Sequence, residues 1–394
     1  MNRSKGINRL FLAMVLISLA SPYFLGRLLA GANIYQNFAV SQLIFLAPVL
    51  VYLLLDRGRI LGELQIQWLG FSEILMVLLL GILLLPVVSW INMLSMMFAQ
   101  NYVASTLAET ESAALGLNFL YVALIPAVSE EFMFRGVFFH GYRSAGIRKA
   151  ALYSGLCFGL LHMNLNQFCY AFVLGVILAI VVEATGSILS SILIHMVING
   201  SSVLSLAALS GLDLPEESAQ TVQAVSRNEL LMTLGFYTMW AVLFGMLAIL
   251  AIRWLARHSG RGEHMRLVLL GQENSAPRGQ ETWTPDMEQW AEAPDTEQWA
   301  EAPNMERWAE TPDTERRAEA PDMERKTEAP DTEQWTKASD TGNNWEAGYD
   351  RYGEAKDGRE HGQSSRPSRR IVTPCLLAAV VICVGYMVSM EFFL

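Results

Sequence analysis

Glutamate, histidine and asparagine side chains stand at helical spacing within three apolar segments of this chain. The residues, including one arginine, are Glu130, Glu131, Arg135, His162, His195 and Asn199. Ionisable side chains are costly at bilayer depth, so their presence in apolar segments indicates a functional site. Carboxylates and imidazoles transfer protons to and from a reacting water molecule, so this combination suits hydrolysis.

The order of charges in the first segment predicts different environments for its two carboxylates. Glu131 and Arg135 are one helical turn apart, in the order that favours an ion pair. Glu130 faces about 100° away around the helix and has no cation at that spacing. It is therefore the better candidate for a general base. Pro126 lacks a backbone donor, and we expect it to bend the helix near these carboxylates.

Two mechanisms remain open from the residue types alone. Glu130, His162 and His195 could hold zinc with an open position for water, which makes zinc a candidate cofactor. Alternatively, Glu130 and His162 polarise the water directly. His195 and Asn199 would then donate hydrogen bonds to the oxyanion of a scissile amide. The sequence has neither an HExxH motif nor a Gly-rich phosphate loop.

The composition indicates a membrane protein with an acidic appendage. The 394 residues are 52% hydrophobic and 17% charged, whereas a soluble domain has about 25% charged residues. The net charge is −10, but residues 263–370 hold 25 acidic and 14 basic residues, a net of −11. The remainder is therefore close to neutral. This distribution excludes a single soluble enzyme and a basic nucleic-acid-binding protein, so we expect no nucleic-acid partner.

Apolar runs predict an all-α polytopic membrane protein, a bundle of about eight transmembrane helices with a ninth at the C-terminus. The runs are 10–26, 38–55, 71–98, 117–139, 150–165, 168–184, 187–208, 229–252 and 372–393. This organisation divides the chain into N-terminal membrane helices (1–115), a catalytic helical core (116–208), a loop with the eighth membrane helix (209–262), an acidic tail (263–370) and a C-terminal membrane helix (371–394). The lipid bilayer is thus a predicted partner.

Nonapeptide repeats occupy residues 285–338 of the acidic tail. A proline marks each unit, and tryptophan stands at one repeat position in four of the six units. Proline at this spacing interrupts helices, and the units have too little apolar surface for a core, so we expect disorder. We interpret the tract as an expanded linker. The alternative is multivalent binding of an unknown partner through the tryptophans.

Lysine and arginine residues in the short loops predict the orientation. They are concentrated before the first run and after the second, fourth and eighth runs. By the positive-inside rule, the N-terminus and the acidic tail are cytoplasmic in a multi-pass protein of the plasma membrane. Residues 18–20 resemble a signal-peptide cleavage site, although we favour an uncleaved first helix.

Three motifs in order resemble those of the CAAX-protease and bacteriocin-processing (CPBP, or Abi) family of intramembrane proteases. The family patterns EExxxR, FxxxH and HxxxN stand here as Glu130-Glu131…Arg135, Phe158…His162 and His195…Asn199. The resemblance covers about residues 115–205, roughly a quarter of the chain. The approach to His195 through Gly186-Ser187-Ile188 is also similar to the family.

The resemblance implies that the chain is a membrane-embedded, CAAX-protease-like endopeptidase. Glu130 would be the general base or a metal ligand, with His162 holding the water. His195 and Asn199 would form the oxyanion site or complete a metal site, while Glu131 and Arg135 support it. The metalloprotease label comes with the family. The implied substrate is a peptide or a membrane protein.

Two other functions remain as alternatives. A non-catalytic scaffold or immunity protein would keep the same fold and use the buried polar residues only to join helices. A small transporter or proton-coupled channel would use intramembrane glutamate and histidine as a proton relay. Such transporters often contain inverted repeats, and none is evident in this sequence.

Overall fold

The computed structural model describes residues 3–26, 29–56, 64–103, 106, 110, 114–210, 227–272 and 371–393. These residues belong to one compact unit, made of residues 1–278 and 366–394. They form helices and no strand, which confirms the predicted all-α fold. The nonapeptide repeats and the predicted disorder of residues 273–370 lie outside the described residues.

Ten helices are described along their full length. They are α1 (Arg3–Leu25), α2 (Ile34–Leu55), α3 (Phe71–Ser95), α4 (Leu115–Ala145), α5 (Ile147–Leu161), α6 (Leu165–Thr185), α7 (Ile188–Ser210), α8 (Arg227–His258), α9 (Gly262–Leu270) and α10 (Pro374–Phe393).

Eight of these helices are long and apolar enough to cross a membrane, namely all except α5 and α9. The run at 150–165 was predicted as a separate span. It forms α5, whose 15 residues reach only about 22 Å. Helix α5 instead makes a hairpin with α6, and the Asn164 side chain caps α6 by accepting from Gln167 N at 2.7 Å. The polar residues between the two runs therefore form a tight turn.

One hydrophobic core joins α10 to the helices that carry the predicted site. Its buried residues include Phe138 of α4 and Phe158 of α5, together with Phe11 of α1. Helix α10 contributes Leu376 and Cys383, spaced two helical turns apart on one face. The C-terminal helix is thus part of the same bundle as the predicted catalytic core, although the acidic tail separates them in sequence.

A buried asparagine links α1, α4 and the start of α10. The Asn8 side chain accepts from the Tyr142 hydroxyl at 2.6 Å. It donates to the Ile371 carbonyl at 2.7 Å and to Thr373 Oγ1 at 2.8 Å. Helix α1 therefore packs into the bundle, and its retention in the mature protein stays a prediction.

Helix α9 lies within the stretch that we assigned to the acidic tail. Its Met265 and Val268 side chains are buried against the bundle, while Glu263 and Arg266 face outward. Net charge alone does not reveal a short amphipathic helix, because the charged face and the buried face are counted together. The compact unit therefore extends past residue 263, the boundary suggested by charge.

We expect Asn8→Ala to lower the free energy of unfolding by about 2 kcal/mol, because it removes buried hydrogen bonds to the Tyr142 hydroxyl and to the Ile371 carbonyl. Thermal unfolding in detergent micelles measures this change. Asn37→Ala, at an exposed position of α2, is the matched control. Equal stability of the two variants would contradict the role assigned to Asn8.

Candidate active site

Helix α4 changes its winding on both sides of the two glutamates. Residues Ile125–Glu131 are α-helical, and π-helical turns lie before them at Phe119–Leu124 and after them at Phe132–Phe139. Pro126 stands at the start of the α-helical turn, where the sequence predicted a disturbance. Such π-helical turns often occur at functional sites because they redirect side chains from the regular helical face.

A fully buried ion pair lies at the centre of the site. Arg135 Nη1 donates to Glu131 Oε1 at 2.9 Å, and neither side chain is exposed. Arg135 Nη2 also donates to the Gly175 carbonyl of α6 at 3.1 Å. The guanidinium lies 4.5 Å from the centre of the Phe158 ring, within the range of a cation–π contact. One arginine therefore connects α4, α5 and α6.

A glycine at position 175 is required by this close approach of helices. A Cβ atom there would lie 2.9 Å from the Gly155 Cα atom and 3.0 Å from the Phe158 ring. It would also lie 3.3 Å from Arg135 Nη2. Any larger residue would push apart the hairpin of α5 and α6.

In both His195 and His162, Nδ1 is hydrogen-bonded and Nε2 makes no hydrogen bond to the described residues. His195 Nδ1 lies 2.8 Å from Glu131 Oε1, and His162 Nδ1 lies 2.8 Å from the Phe158 carbonyl oxygen. Carboxylate and carbonyl oxygens only accept hydrogen bonds, so Nδ1 carries a proton in both rings. In the neutral rings, the lone pair is then on Nε2. His195 Nε2 lies 3.9 Å from Glu130 Oε2.

Glu130 and His162 line one cavity of about 180 Å³. Its remaining lining residues are Phe45, Met133, Phe134, Phe158 and Leu161, which come from α2, α4 and α5. The Glu130 side chain is 17% exposed, in contrast to the fully buried Glu131. The structure therefore places the predicted general base and the predicted water-binding imidazole at the same apolar cavity.

Phe158 explains the aromatic position of the FxxxH motif. Its ring contacts the His162 ring edge-on at 4.9 Å and the His195 ring at 5.8 Å, measured between ring centres. The same ring contacts the Arg135 guanidinium. Phe158 thus fixes the orientation of both imidazoles while keeping an apolar wall on the site.

Asn199 is held by the irregular part of α4. Its Nδ2 donates to the Val122 carbonyl at 3.3 Å. This carbonyl lies in the π-helical turn of Phe119–Leu124. Asn199 therefore joins α7 to the irregular part of α4, and one Nδ2–H remains for another acceptor.

The zinc set predicted from the sequence has the side-chain types of a metal site. Two imidazoles with free Nε2 atoms and fixed Nδ1–H groups, beside a carboxylate, are a usual set of zinc ligands. Among the described residues, however, no three His, Cys, Asp or Glu side chains are grouped closely enough to hold a metal ion. A zinc site formed by Glu130, His162 and His195 stays a prediction.

A second buried carboxylate, Glu183 at the end of α6, was not predicted from the sequence. Its Oε1 accepts from Arg261 Nη2 at 2.7 Å, from Arg143 Nη2 at 3.2 Å and from His264 Nε2 at 2.6 Å. The signal was an acidic residue at the end of an apolar run, three residues before Gly186. These ion pairs join α4 and α6 to the junction of α8 and α9.

The fold and the site together define a polytopic membrane protein with a buried glutamate–histidine centre. Residues 112–201 match the family model described as Type II CAAX prenyl endopeptidase Rce1-like. This match, over roughly a quarter of the chain, confirms the resemblance predicted from the three motifs and supports an intramembrane peptidase type of function. No curated protein and no solved structure matched the chain.

We expect Gly175→Ala to destabilise the protein by about 2 kcal/mol, because the added methyl group overpacks the α5–α6 contact. Gly235→Ala is the matched control, since a Cβ atom there would meet nothing within 4 Å. Alanine also favours a helix over glycine, so the control should be as stable as the unmodified protein or more stable. Thermal unfolding in micelles compares the two, and an undisturbed Gly175→Ala variant would refute the packing argument.

Proposed function

We propose that this protein is an intramembrane endopeptidase in which Glu130 and His162 activate a water molecule. The observation that carries the proposal is the single cavity that both side chains line, with the His162 Nε2 lone pair free. A carboxylate and an imidazole acceptor at one apolar cavity can bind a water and remove its proton.

In the proposed reaction, the water oxygen attacks the carbonyl carbon of the substrate while Glu130 takes one water proton. His162 Nε2 accepts a hydrogen bond from the other water proton and so orients the attack. When the carbon–nitrogen bond breaks, Glu130 gives its proton to the leaving amine. The atoms of one water molecule are thereby divided between the new acid and the new amine.

His195 is the proposed donor to the oxyanion. For this role the ring must carry a proton on Nε2 as well as on Nδ1. The Glu131 carboxylate at Nδ1 stabilises the resulting imidazolium. Asn199 adds its remaining Nδ2–H. Glu131 and Arg135 act only through these groups, because neither is exposed to a substrate.

The cavity favours a substrate segment with apolar side chains. Phe45, Met133, Phe134 and Leu161 supply most of its surface. We therefore propose that the substrate is a peptide, such as a leader or bacteriocin-like peptide, or a segment of a membrane protein. An apolar side chain of this segment would occupy the cavity beside the scissile bond.

Glu130→Gln and His162→Asn should each lower kcat by at least about 100-fold, because each removes a proton acceptor for the reacting water. Cleavage of an apolar fluorogenic peptide library by the purified protein measures this effect. Glu263→Gln, at a position whose side chain is 70% exposed, is the matched carboxylate control. Cleavage that persists in both site variants would favour another site, and the absence of cleavage by the unmodified protein would favour the scaffold function.

Chelators in the same assay separate the two mechanisms. Direct activation by Glu130 and His162 predicts that kcat is unchanged after treatment with a zinc chelator. Loss of activity that added zinc restores would instead select a mechanism in which Glu130, His162 and His195 close around a metal ion.

We further propose that the N-terminus and both ends of the acidic tail face the cytoplasm, in the plasma membrane. Asn8 near the N-terminus meets Tyr142 and Ile371 at one end of the bundle. Arg143 follows Tyr142 in α4 and pairs with Glu183. Arg261, just before α9, also pairs with Glu183. These contacts bring the basic residues to one end, which the positive-inside rule assigns to the cytoplasm.

A pair of cysteine variants tests this orientation. In intact cells, a membrane-impermeant maleimide should label Ser218→Cys, which lies between α7 and α8 in the sequence. It should label Ser339→Cys, in the acidic tail, only after the cells are permeabilised. The reverse pattern would invert the topology, and labelling of neither variant in intact cells would argue against the plasma membrane.

A further inference from the structure

Helices α4 and α7 run antiparallel beside the buried ion pair. His195 bonds Glu131, and a Cβ atom on Gly136 would lie 3.7 Å from the Ile188 side chain. Moving from His195 toward Ile188 along α7 therefore corresponds to moving from Glu131 toward Gly136 along α4. The residue one turn before His195 on the same face is Ser191. This register places Ser191 opposite the span from Glu131 to Arg135.

The ion pair retains two buried polar atoms without hydrogen-bond partners in the described structure. They are Glu131 Oε2 and Arg135 Nε. A buried polar atom that lacks a partner is energetically costly. A donor or acceptor close to the pair could therefore stabilise it by forming the missing hydrogen bond. Ser191 is fully buried at this level of the helix pair. Its hydroxyl donates to the Ile188 carbonyl of its own helix at 2.9 Å.

We propose that Ser191 is a positioning residue for the reaction, because its hydroxyl turns from the Ile188 carbonyl to Glu131 Oε2. A hydroxyl has one donor and two acceptor sites, so it can also accept from Arg135 Nε in the same position. The carboxylate then keeps Oε1 directed at His195 Nδ1. Ser191 thus acts through Glu131 and His195 and does not touch the substrate.

This inference rests on the proposed peptidase function. A donor to Glu131 has its largest effect when His195 becomes an imidazolium, since the carboxylate then stabilises a full positive charge. Ser191 should therefore influence the chemical step more than substrate binding. Substitution of a residue that only packs between helices would change stability, and it would not lower kcat selectively relative to its effect on KM.

Ser190 supplies a matched control on the same helix. It is also fully buried, but its hydroxyl donates to the Ser187 carbonyl at 2.6 Å and lies 2.9 Å from Thr185 Oγ1. Those contacts belong to the turn between α6 and α7. Ser190→Ala therefore removes a hydroxyl of equal burial without touching the Glu131–Arg135 pair.

The test compares kcat and KM of Ser191→Ala and Ser190→Ala in the peptide cleavage assay. We expect Ser191→Ala to lower kcat by about 10-fold with KM within about twofold, since one hydrogen bond to a charged group is lost. Ser190→Ala should keep kcat within about twofold. Equal kcat values for these two variants, in a protein whose unmodified form cleaves, overturn the inference and leave the proposed function standing.

A second pair keeps the test decisive if Ser191→Ala folds poorly. Ser191→Thr and Ser191→Val have nearly the same shape, but only threonine has a hydroxyl. The kcat of Ser191→Thr should be about 10-fold above that of Ser191→Val, and the two variants should have similar thermal stability. Equal kcat values of this pair overturn the role of Ser191. Absence of cleavage by the unmodified protein overturns both this inference and the function on which it rests.

Discussion

The buried ion pair of Glu131 and Arg135 determines how the other groups of the site are arranged. Removing two charges from water costs several kcal/mol per ion, and their mutual attraction offsets this cost only when further hydrogen bonds are present. Here the further partners are the Gly175 carbonyl and the His195 ring, with the Phe158 ring beside the guanidinium. These groups come from three other helices, so satisfying one ion pair brings together α4, α5, α6 and α7.

The same requirement explains irregular features of the scaffold. Arg135 reaches the α6 backbone only because Gly175 leaves room, and α5 approaches α6 closely at Gly155 for the same reason. The π-helical turns of α4 would leave backbone acceptors exposed in an apolar setting, where water is scarce. Side chains of neighbouring helices meet this need, since Asn199 donates to Val122 and Ser154 donates to the Phe134 carbonyl.

Helical spacing predicted the local ion pair of the site, but it did not show every partner. The i,i+4 relation of Glu131 and Arg135 is local and survives in the structure. The bond from Asn199 to Val122 depends on the π-helical turn of α4 and on the register of two helices, which no single segment reveals. Glu183 was not predicted for a similar reason, because its partners, two arginines and one histidine, lie on other segments. The arrangement of metal ligands likewise depends on distances between helices, which the sequence does not give.

Adjacent identical residues acquire opposite properties because of one arginine and the helical pitch. Arg135 stands one turn beyond Glu131, so the pair closes and the Glu131 carboxylate is fully buried. Glu130 is rotated away from Arg135 and faces the cavity, where it is partly exposed and 3.9 Å from His195 Nε2. An ion-paired carboxylate is a poor proton acceptor, whereas one at a cavity with a free imidazole nearby can exchange protons with water. The imidazole of His195 contacts both, so the supporting carboxylate and the reacting one act on opposite nitrogens of the same ring.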